Sequence, residues 1–511
     1  MAKLLFISNG IFENLGIEYI SAFLKNHGHK VNLTIDPSIF SDTFHSYSPL
    51  ANIFSFRKMI LGEIFSHKPD IICFSVLTDT YQWAVGLAEE IKKHLDVLVI
   101  FGGVHPTLLP NVVIHNKSID IVCVGEGEMP LLELANNVDK VIIDYKINNL
   151  WFKHNGEVMR NPSRRINENL DSLPFPDKEI FYNINNKYRY EYMAVTGRGC
   201  PFECSYCCNH SMRSIFGAAY IRKRTVDNLL EELIYAKSRY AMRYVWFIDD
   251  LFFSDKKWLC DFSEKYKQHV KLPFFCYVHP EQVDEEVVEL LKIAGCYEVG
   301  LGVQTISPKV KEAVLRTEPV EHILDAIILF KKAGILVVTE NIVGLPYETE
   351  NDLLELLKFY NDNKPAIVIM NWLRIFPETR LLDSERKKST REEISEKIEE
   401  GNDTQMGWKK NVSNIRMARK LTFLLELAPS LPKRIIEVIV GNKLYNFIPC
   451  RILYASYFMR MLRFSSLGKL LYGIATYDSG ARVYVRNYAY FIFKKLRWLI
   501  MRRYRIGNRA I

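Results

Sequence analysis

Three cysteines stand within eight residues, in the segment Gly197-Arg-Gly-Cys200-Pro-Phe-Glu-Cys204-Ser-Tyr-Cys207-Cys208. Cysteine supplies 10 of 511 residues, so a Cys-x3-Cys-x2-Cys triplet arises by chance only about 0.004 times in a chain of this length. Thiolates this close on one loop can converge on a single soft metal centre. Four sulfurs would close a structural zinc or an ordinary electron-transfer cluster, whereas three leave one metal position open. An open iron on a 4Fe-4S cluster can chelate a substrate or cofactor and deliver an electron to it. Cys208 is read as a structural or reactive bystander, because adjacent cysteines rarely reach one cluster. Zinc is the competing reading. His210 is its nearest further ligand, and no second Cys or His pair at zinc-finger spacing follows.

The triad must be held by the elements around it. It follows an apolar run, Tyr192 to Thr196, which is the first of six strand-like segments. The others are Tyr244 to Ile248, Phe274 to Val278, Glu298 to Val303, Val337 to Ile342 and Ile367 to Asn371. Helical periodicity fills the gaps at Val226 to Arg239, Lys256 to His269, Glu285 to Ala294, Val320 to Ala333 and Asn351 to Asp362. Six successive βα units predict a parallel, partial (β/α)6 barrel with its chemistry at the carboxyl-terminal rim.

Upstream, continuous apolar strands alternate with amphipathic helices: Leu4 to Ser8, Val31 to Ile35, Ile71 to Ser75, Val97 to Phe101 and Ile119 to Val124. Such a pattern predicts an α/β, doubly wound, flavodoxin- or Rossmann-like domain whose parallel sheet is covered on both faces. Ligands of these sheets sit at the strands' carboxyl ends, where Ser75-Val-Leu-Thr78, Gly102-Gly-Val-His105 and Gly125-Glu-Gly-Glu128 fall. Any one glycine pair there could merely make a tight turn; three at one edge favour a site. No Gly-x-Gly-x-x-Gly follows the first strand, which disfavours a nicotinamide cofactor. The expected boundaries are 1–140 for this domain, 141–190 for a Pro- and Asn-rich linker, 191–395 for the barrel and 396–511 for a mainly helical C-terminal region.

With these residues in view, Cys200 to Cys207, with Tyr206 directly before the third cysteine, resembles the radical S-adenosylmethionine (SAM) superfamily. The resemblance implies a 4Fe-4S cluster on Cys200, Cys204 and Cys207, whose unique iron binds the amino and carboxylate groups of SAM. Reductive cleavage would then give a 5′-deoxyadenosyl radical that abstracts hydrogen from a substrate. Tyr206 joins the implied SAM set, and Phe247-Ile-Asp249-Asp250 resembles the acidic contact to the SAM ammonium. Gly302-Val-Gln304-Thr305 looks like the polar ribose or methionine contact, Arg316 is a candidate for the SAM carboxylate, and Gly344 lies where backbone would pass close to adenine. Taken singly, Asp249 or Asp250 could be a helix N-cap, Arg316 a solvated surface charge and Gly344 a turn former.

The first 140 residues look like the cobalamin-binding domain that precedes the barrel in one radical SAM subgroup. This implies cobalamin contacts at Ser75, Thr78, Gly102, Gly103, His105, Gly125 and Glu126. His105 could instead be a helix-start residue satisfied by backbone. The Asp-x-His-x-x-Gly motif that supplies a lower histidine to cobalt elsewhere is absent, so no axial ligand can be named. The resemblance implies cobalamin-dependent methylation, or a related modification, of an unactivated carbon on a small-molecule or lipid-like substrate. It also implies a reducing donor such as flavodoxin or ferredoxin. The alternatives are a radical SAM enzyme without cobalamin that performs a rearrangement, cyclisation or RNA modification, and an iron–sulfur electron-transfer or binding protein without SAM turnover.

Charge separates the C-terminal region from the rest. The net charge is +8, yet residues 430–511 hold 16 Lys or Arg against two acids, which leaves −6 for everything before them. Fifteen aromatics are interleaved with those cations. Three readings compete: a helix at an anionic membrane surface, an RNA contact, and a helical cap on the barrel. The N-terminal apolar stretch is too short for a signal-peptide core, and lone cysteines such as Cys73 and Cys123 sit in apolar runs. The expected location is therefore cytoplasmic, either free or peripheral to the inner face of the membrane.

Overall fold

The computed structural model describes residues 1–41, 48–140, 144–386, 415–448 and 480–507. The charged stretch Lys387 to Glu400 and residues 449–479 of the aromatic-basic region lie outside the described residues.

The first sheet has the order β2-β1-β3-β4-β5-β6-β7. Its strands are β1 (Lys3–Asn9), β2 (Lys30–Asp36), β3 (Ile71–Ser75), β4 (Leu98–Gly102), β5 (Ile121–Cys123), β6 (Leu150–His154) and β7 (Glu157–Arg160). The first five pair in parallel, as their uninterrupted apolar runs require, and Ile72, Val99 and Val122 are fully buried. The last two form an antiparallel hairpin within the segment read as linker, so the sheet continues past residue 140. Its turn is Asn155-Gly156, with φ of 50° and 82°. Both residues being left-handed is the two-residue hairpin signature, a signal present in the sequence and not used. Two helices between β2 and β3, Ser48–Ile53 and Arg57–His67, also went unread.

The second sheet contains β8 (Glu191–Ala194), β11 (Tyr244–Phe247), β12 (Phe274–Val278), β13 (Cys296–Gln304), β14 (Leu336–Val343) and β15 (Ile367–Trp372), all parallel, in the order β15-β14-β13-β12-β11-β8. A two-stranded ribbon, β9 (Gly197–Arg198) with β10 (Arg222–Lys223), carries the residues that lead into the triad. The outer helices begin on side-chain caps: Thr225 accepts from Asn228, Asp255 from Trp258, Asp284 from Val287 and Thr349 from Asp352. The helices Glu285–Ala294 and Val320–Ala333 end on left-handed Gly295 and Gly334. Expected and observed bounds coincide for four of these helices because the caps and the 3.6-residue period mark the same places.

The strap between the domains is pinned rather than free. Asp177 accepts from Ser21 and Lys25 at 2.5 Å. Next to it, Lys178 is buried, with Nζ 2.8 Å from Glu18, 3.1 Å from Glu13 and 2.7 Å from the carbonyl of Met193. Two buried carboxylates around one ammonium are costly to break, so this group fixes how the strap, the first domain and β8 sit together.

The described part of the C-terminal region is helical: Ile415–Leu427, Lys433–Gly441 and Gly480–Gly507. The first of these packs on the helix Glu350–Asn363 and on β15, and its Leu421 and Leu425 are fully buried. That portion is a cap on the barrel. No helix among the described residues is long and apolar enough to cross a membrane.

Candidate functional site

The triad loop leaves β8 through a turn that only close backbone approach allows. Gly199 has φ of +88°, and a Cβ there would lie 2.8 Å from the carbonyl oxygen of Tyr220. The turn is tied down by Asp249 at the end of β11. One carboxylate accepts from Thr196 N at 2.8 and 2.9 Å, from Thr196 Oγ1 at 2.7 Å and from Gly197 N at 2.9 Å, with Lys223 Nζ at 3.5 Å. Its oxygens are thus engaged in holding the loop. Neighbouring Asp250 makes none of these bonds and opens onto a cavity, where burial pushes its carboxyl up. The pair reads alike in sequence and divides into an anchor and an available acid.

Within the loop, burial pushes the Cys200 thiol up to about 12. Cys207 moves the other way, to about 7, because it accepts from the Cys208 thiol and from Asn209. Arg316 is buried, with Nη1 3.8 Å from Cys204 Sγ and Nε 2.8 Å from Glu318, and Nη2 donates to the carbonyl of Gly302. It is not a solvated surface charge. Tyr206 packs against Val310, Val314, Leu345 and Leu373 beyond the ends of β14 and β15. Gln304 ends β13 just past a register shift, with φ of 64°, and Gly344 follows β14 with φ of 89°. Non-glycine residues rarely hold such a conformation, and it concentrates where a side chain must be aimed.

Cys208 donates its thiol to Cys207 and packs beside an apolar cluster that includes Leu108, Leu109 and Met212. His210 is engaged at both ring nitrogens: Nε2 accepts from Arg380 N at 3.1 Å and Nδ1 lies 3.2 Å from Ser211 Oγ. The zinc reading therefore loses its nearest further ligand. Among the described residues no three His, Cys, Asp or Glu side chains are grouped for a single metal ion.

Facing the loop is the carboxyl-terminal edge of the first sheet. A cavity of about 380 Å³ lies between the two. Ser75, Gly102, Gly103, Gly125 and Glu126 line one side, and Gly197, Arg198, Gly199, Asp249 and Asp250 line the other. On this glycine-rich edge Gly103 is the tightest point: its φ is +105°, and a Cβ would come within 2.7 Å of Val76 O. Two expected residues are elsewhere. His105 and Thr78 bond to each other at 3.2 Å in the wall behind the cavity, and the His105 ring packs at a tilt against Tyr81 with centroids 4.4 Å apart. Burial holds His105 neutral, with its pKa lowered to about 4. Its Nε2 has no hydrogen-bond partner among the described residues. Glu126 reaches the rim but is held at 2.6 Å by Arg198 and 2.7 Å by Arg222. Burial raises its carboxyl, the two guanidiniums outweigh that, and the net shift is downward.

Several participants had not been singled out. Lys223 braces the Asp249 anchor, and Arg198 and Arg222 bind the glycine-rich edge of the other domain. Glu318 orients Arg316. His279, a barrel-lining position in the sequence, stacks on Phe202 inside the triad at 3.6 Å. The only sequence signal for the cations was their proximity to the triad. In the barrel, Tyr277 lies so close to β13 that a Cβ on Gly300 would come within 2.5 Å of its ring, and Asn371 donates to Glu340 at 2.9 Å.

Residues 4–135 match the description of a B12 binding domain, and residues 194–360 match that of the radical SAM superfamily. An uncharacterized methyltransferase of Pyrococcus horikoshii is 29% identical over 57% of this chain and 64% of its own length. An anaerobic magnesium-protoporphyrin IX monomethyl ester cyclase of Rubrivivax gelatinosus is 25% identical over 71% of this chain and 64% of its own length. This chain thus spans just under two thirds of each relative. Among solved structures, the cobalamin-dependent SAM radical enzyme OxsB, with aqua-cobalamin and SAM bound, superposes with a TM-score of 0.65 at 16% identity. The match covers 97% of this chain and 84% of that one, and it is a likeness of fold.

Proposed function

We infer that this chain belongs to the radical SAM superfamily and carries a B12 binding domain ahead of the radical SAM domain. On that premise we propose that it is a cobalamin-dependent methyltransferase acting on an unactivated carbon of a small-molecule or lipid-like substrate, with electrons from a flavodoxin- or ferredoxin-like donor. Bound in this chain, a 4Fe-4S cluster and SAM would supply a hydrogen-abstracting 5′-deoxyadenosyl radical, and cobalamin would supply a transferable methyl group.

The observation that carries the reading is the shared cavity: the glycine-rich edge of one sheet and the loop leading to three thiols of the other are its two walls. The donor set fits an iron cluster, with three soft thiols and a buried guanidinium beside Cys204. The edge fits a large flat ligand, since Gly102, Gly103 and Gly125 line it without side chains. In this proposal Cys200, Cys204 and Cys207 hold the cluster. Arg316 neutralises the SAM carboxylate, Asp250 and Gln304 take its polar groups, Tyr206 packs beside it and Gly344 lets backbone approach the adenine. Ser75, Gly102, Gly103 and Gly125 cradle the corrin. Asp249, Glu126, Thr78 and His105 hold these surfaces in place instead of touching the ligands. Leu15, Ile17, Val195 and Ile248 line the cavity with apolar surface that excludes water from a reactive carbon.

Anaerobic reconstitution followed by reduction tests this. The expected outcome is bound iron and cobalt, release of 5′-deoxyadenosine, and a methyl group carried from labelled SAM into an acceptor. Alanine at any triad cysteine should abolish iron binding and nucleoside release, and Cys208→Ala should keep both. Iron and nucleoside release that survive loss of a triad thiol would overturn the reading. The cyclase relative supports a second outcome, in which nucleoside release proceeds with ring closure and no methyl incorporation. Bound iron without any nucleoside release would indicate an electron-transfer protein.

A further inference from the structure

The helix Gly480–Gly507 has two unlike faces. One docks on the molecule: Asn487 accepts from Asn185 at 3.0 Å and donates to Ile11 O at 3.1 Å, and Phe40 N donates to Tyr488 Oη at 2.6 Å. Phe491 meets Phe56 edge-on with centroids 6.1 Å apart, and Lys495 donates to Ser55 O. This face ties the end of the chain to the first domain and the strap.

The opposite face is apolar where water should favour polar groups. Phe493, Leu496, Ile500 and Met501 are 69%, 41%, 57% and 49% exposed. With Arg497, which is also exposed, they occupy positions i, i+3, i+4, i+7 and i+8 of the helix and so form one stripe about 12 Å long. Residues 479–511 contain nine Lys or Arg and no acid. Isolated exposed hydrophobics need no explanation, but a contiguous stripe among cations does.

We propose that this stripe is a docking surface for an anionic phospholipid membrane, lying in the headgroup region while the opposite face keeps hold of the protein. The stripe supplies insertion and the cations supply attraction to the lipid phosphates. Charge argues against a second copy as the occupant, since it would set a second exposed Arg497 against the first. Three of the four exposed apolar side chains are aliphatic and offer no ring on which a nucleic-acid base could stack. The helix lies on such a surface rather than crossing it, being too short in apolar residues to span. The inference goes beyond methyl transfer and does not depend on it.

Flotation of the full chain with vesicles of equal parts phosphatidylglycerol and phosphatidylcholine tests it, with phosphatidylcholine alone as control. The wild-type chain should float with the anionic vesicles, and more weakly as salt rises. Phe493→Ser with Ile500→Ser, and separately Arg497→Glu, should each weaken binding about tenfold, with thermal melting unchanged because the altered side chains face solvent. Equal flotation with neutral vesicles, or undiminished binding of the stripe variant, overturns the proposal. So does retention on single-stranded RNA without flotation, or a stripe-dependent dimer on gel filtration without flotation.

Discussion

Arg198, two residues before the first cysteine of the triad, bonds Glu126 of the other domain at 2.6 Å and Glu128 at 2.8 Å. The loop that presents the thiols is thereby attached to the glycine-rich edge across the cavity, and Arg222 adds a second hold on the same Glu126. The two walls of the site are joined through their own functional segments.

Glu126→Gln should therefore act on assembly of the site before it acts on a ligand. It leaves Arg222 without its charged partner and Arg198 with Glu128 alone in a largely buried place, and a loss of about 2 to 4 kcal/mol is expected in urea unfolding. Corrinoid affinity that falls while stability stays unchanged would show that Glu126 is a direct contact after all.

The adjacent acids at the end of β11 should separate cleanly. Asp249→Asn replaces an acceptor of backbone N–H groups with one that is half donor, and should cost about 3 kcal/mol in thermal or urea unfolding. Asp250→Asn should cost less than about 1 kcal/mol and should weaken SAM binding measured by equilibrium dialysis. Equal effects on stability would remove the distinction.

Gly103→Ala combines a left-handed backbone, which costs a side-chain-bearing residue about 1 to 2 kcal/mol, with a Cβ driven to 2.7 Å from Val76 O. Reduced stability and reduced uptake of hydroxocobalamin are expected together, the second read from the visible spectrum after desalting. The neighbouring Gly102, whose Cβ would meet only Cys123 at 3.5 Å, should tolerate alanine in the fold.

His105 supplies a pH dependence whose sign is fixed by its burial. Its pKa is lowered from 6.5 to about 4 in the folded chain, so between those values the unfolded chain binds the extra proton. Stability from this group is complete above about pH 6.5 and is lost as pH falls through the window toward 4, by at most about 3 kcal/mol. Urea unfolding of His105→Gln against wild type over that range should show the difference narrowing as pH drops. A difference that is constant with pH would mean that His105 is not held neutral.

The repeating strands and helices were legible because their signals are local. The barrel helix Val226–Arg239 begins where Thr225 caps it and keeps its apolar period to the end. The hairpin Leu150–Arg160 was missed although Asn155-Gly156 marks its turn, because the surrounding Asn, Pro and charge suggested a linker. Its strands gain their reason only by pairing with β5.

By itself, the sequence determined the three thiols on one loop, the succession of a doubly wound domain and six βα units, and the charge of the C-terminal region, since covalent spacing and periodicity act over a few residues. Tertiary structure alone decided which of two adjacent aspartates is spent, that His105 and Thr78 stand behind the cavity wall, that Arg316 reaches Cys204 and that one face of the last helix stays bare. Each of those depends on partners dozens to hundreds of residues away, such as Thr196 for Asp249 and Ile11 for Asn487. The physical reason is that a buried polar group takes whichever donor or acceptor the packing brings to it, and packing is set by the whole chain.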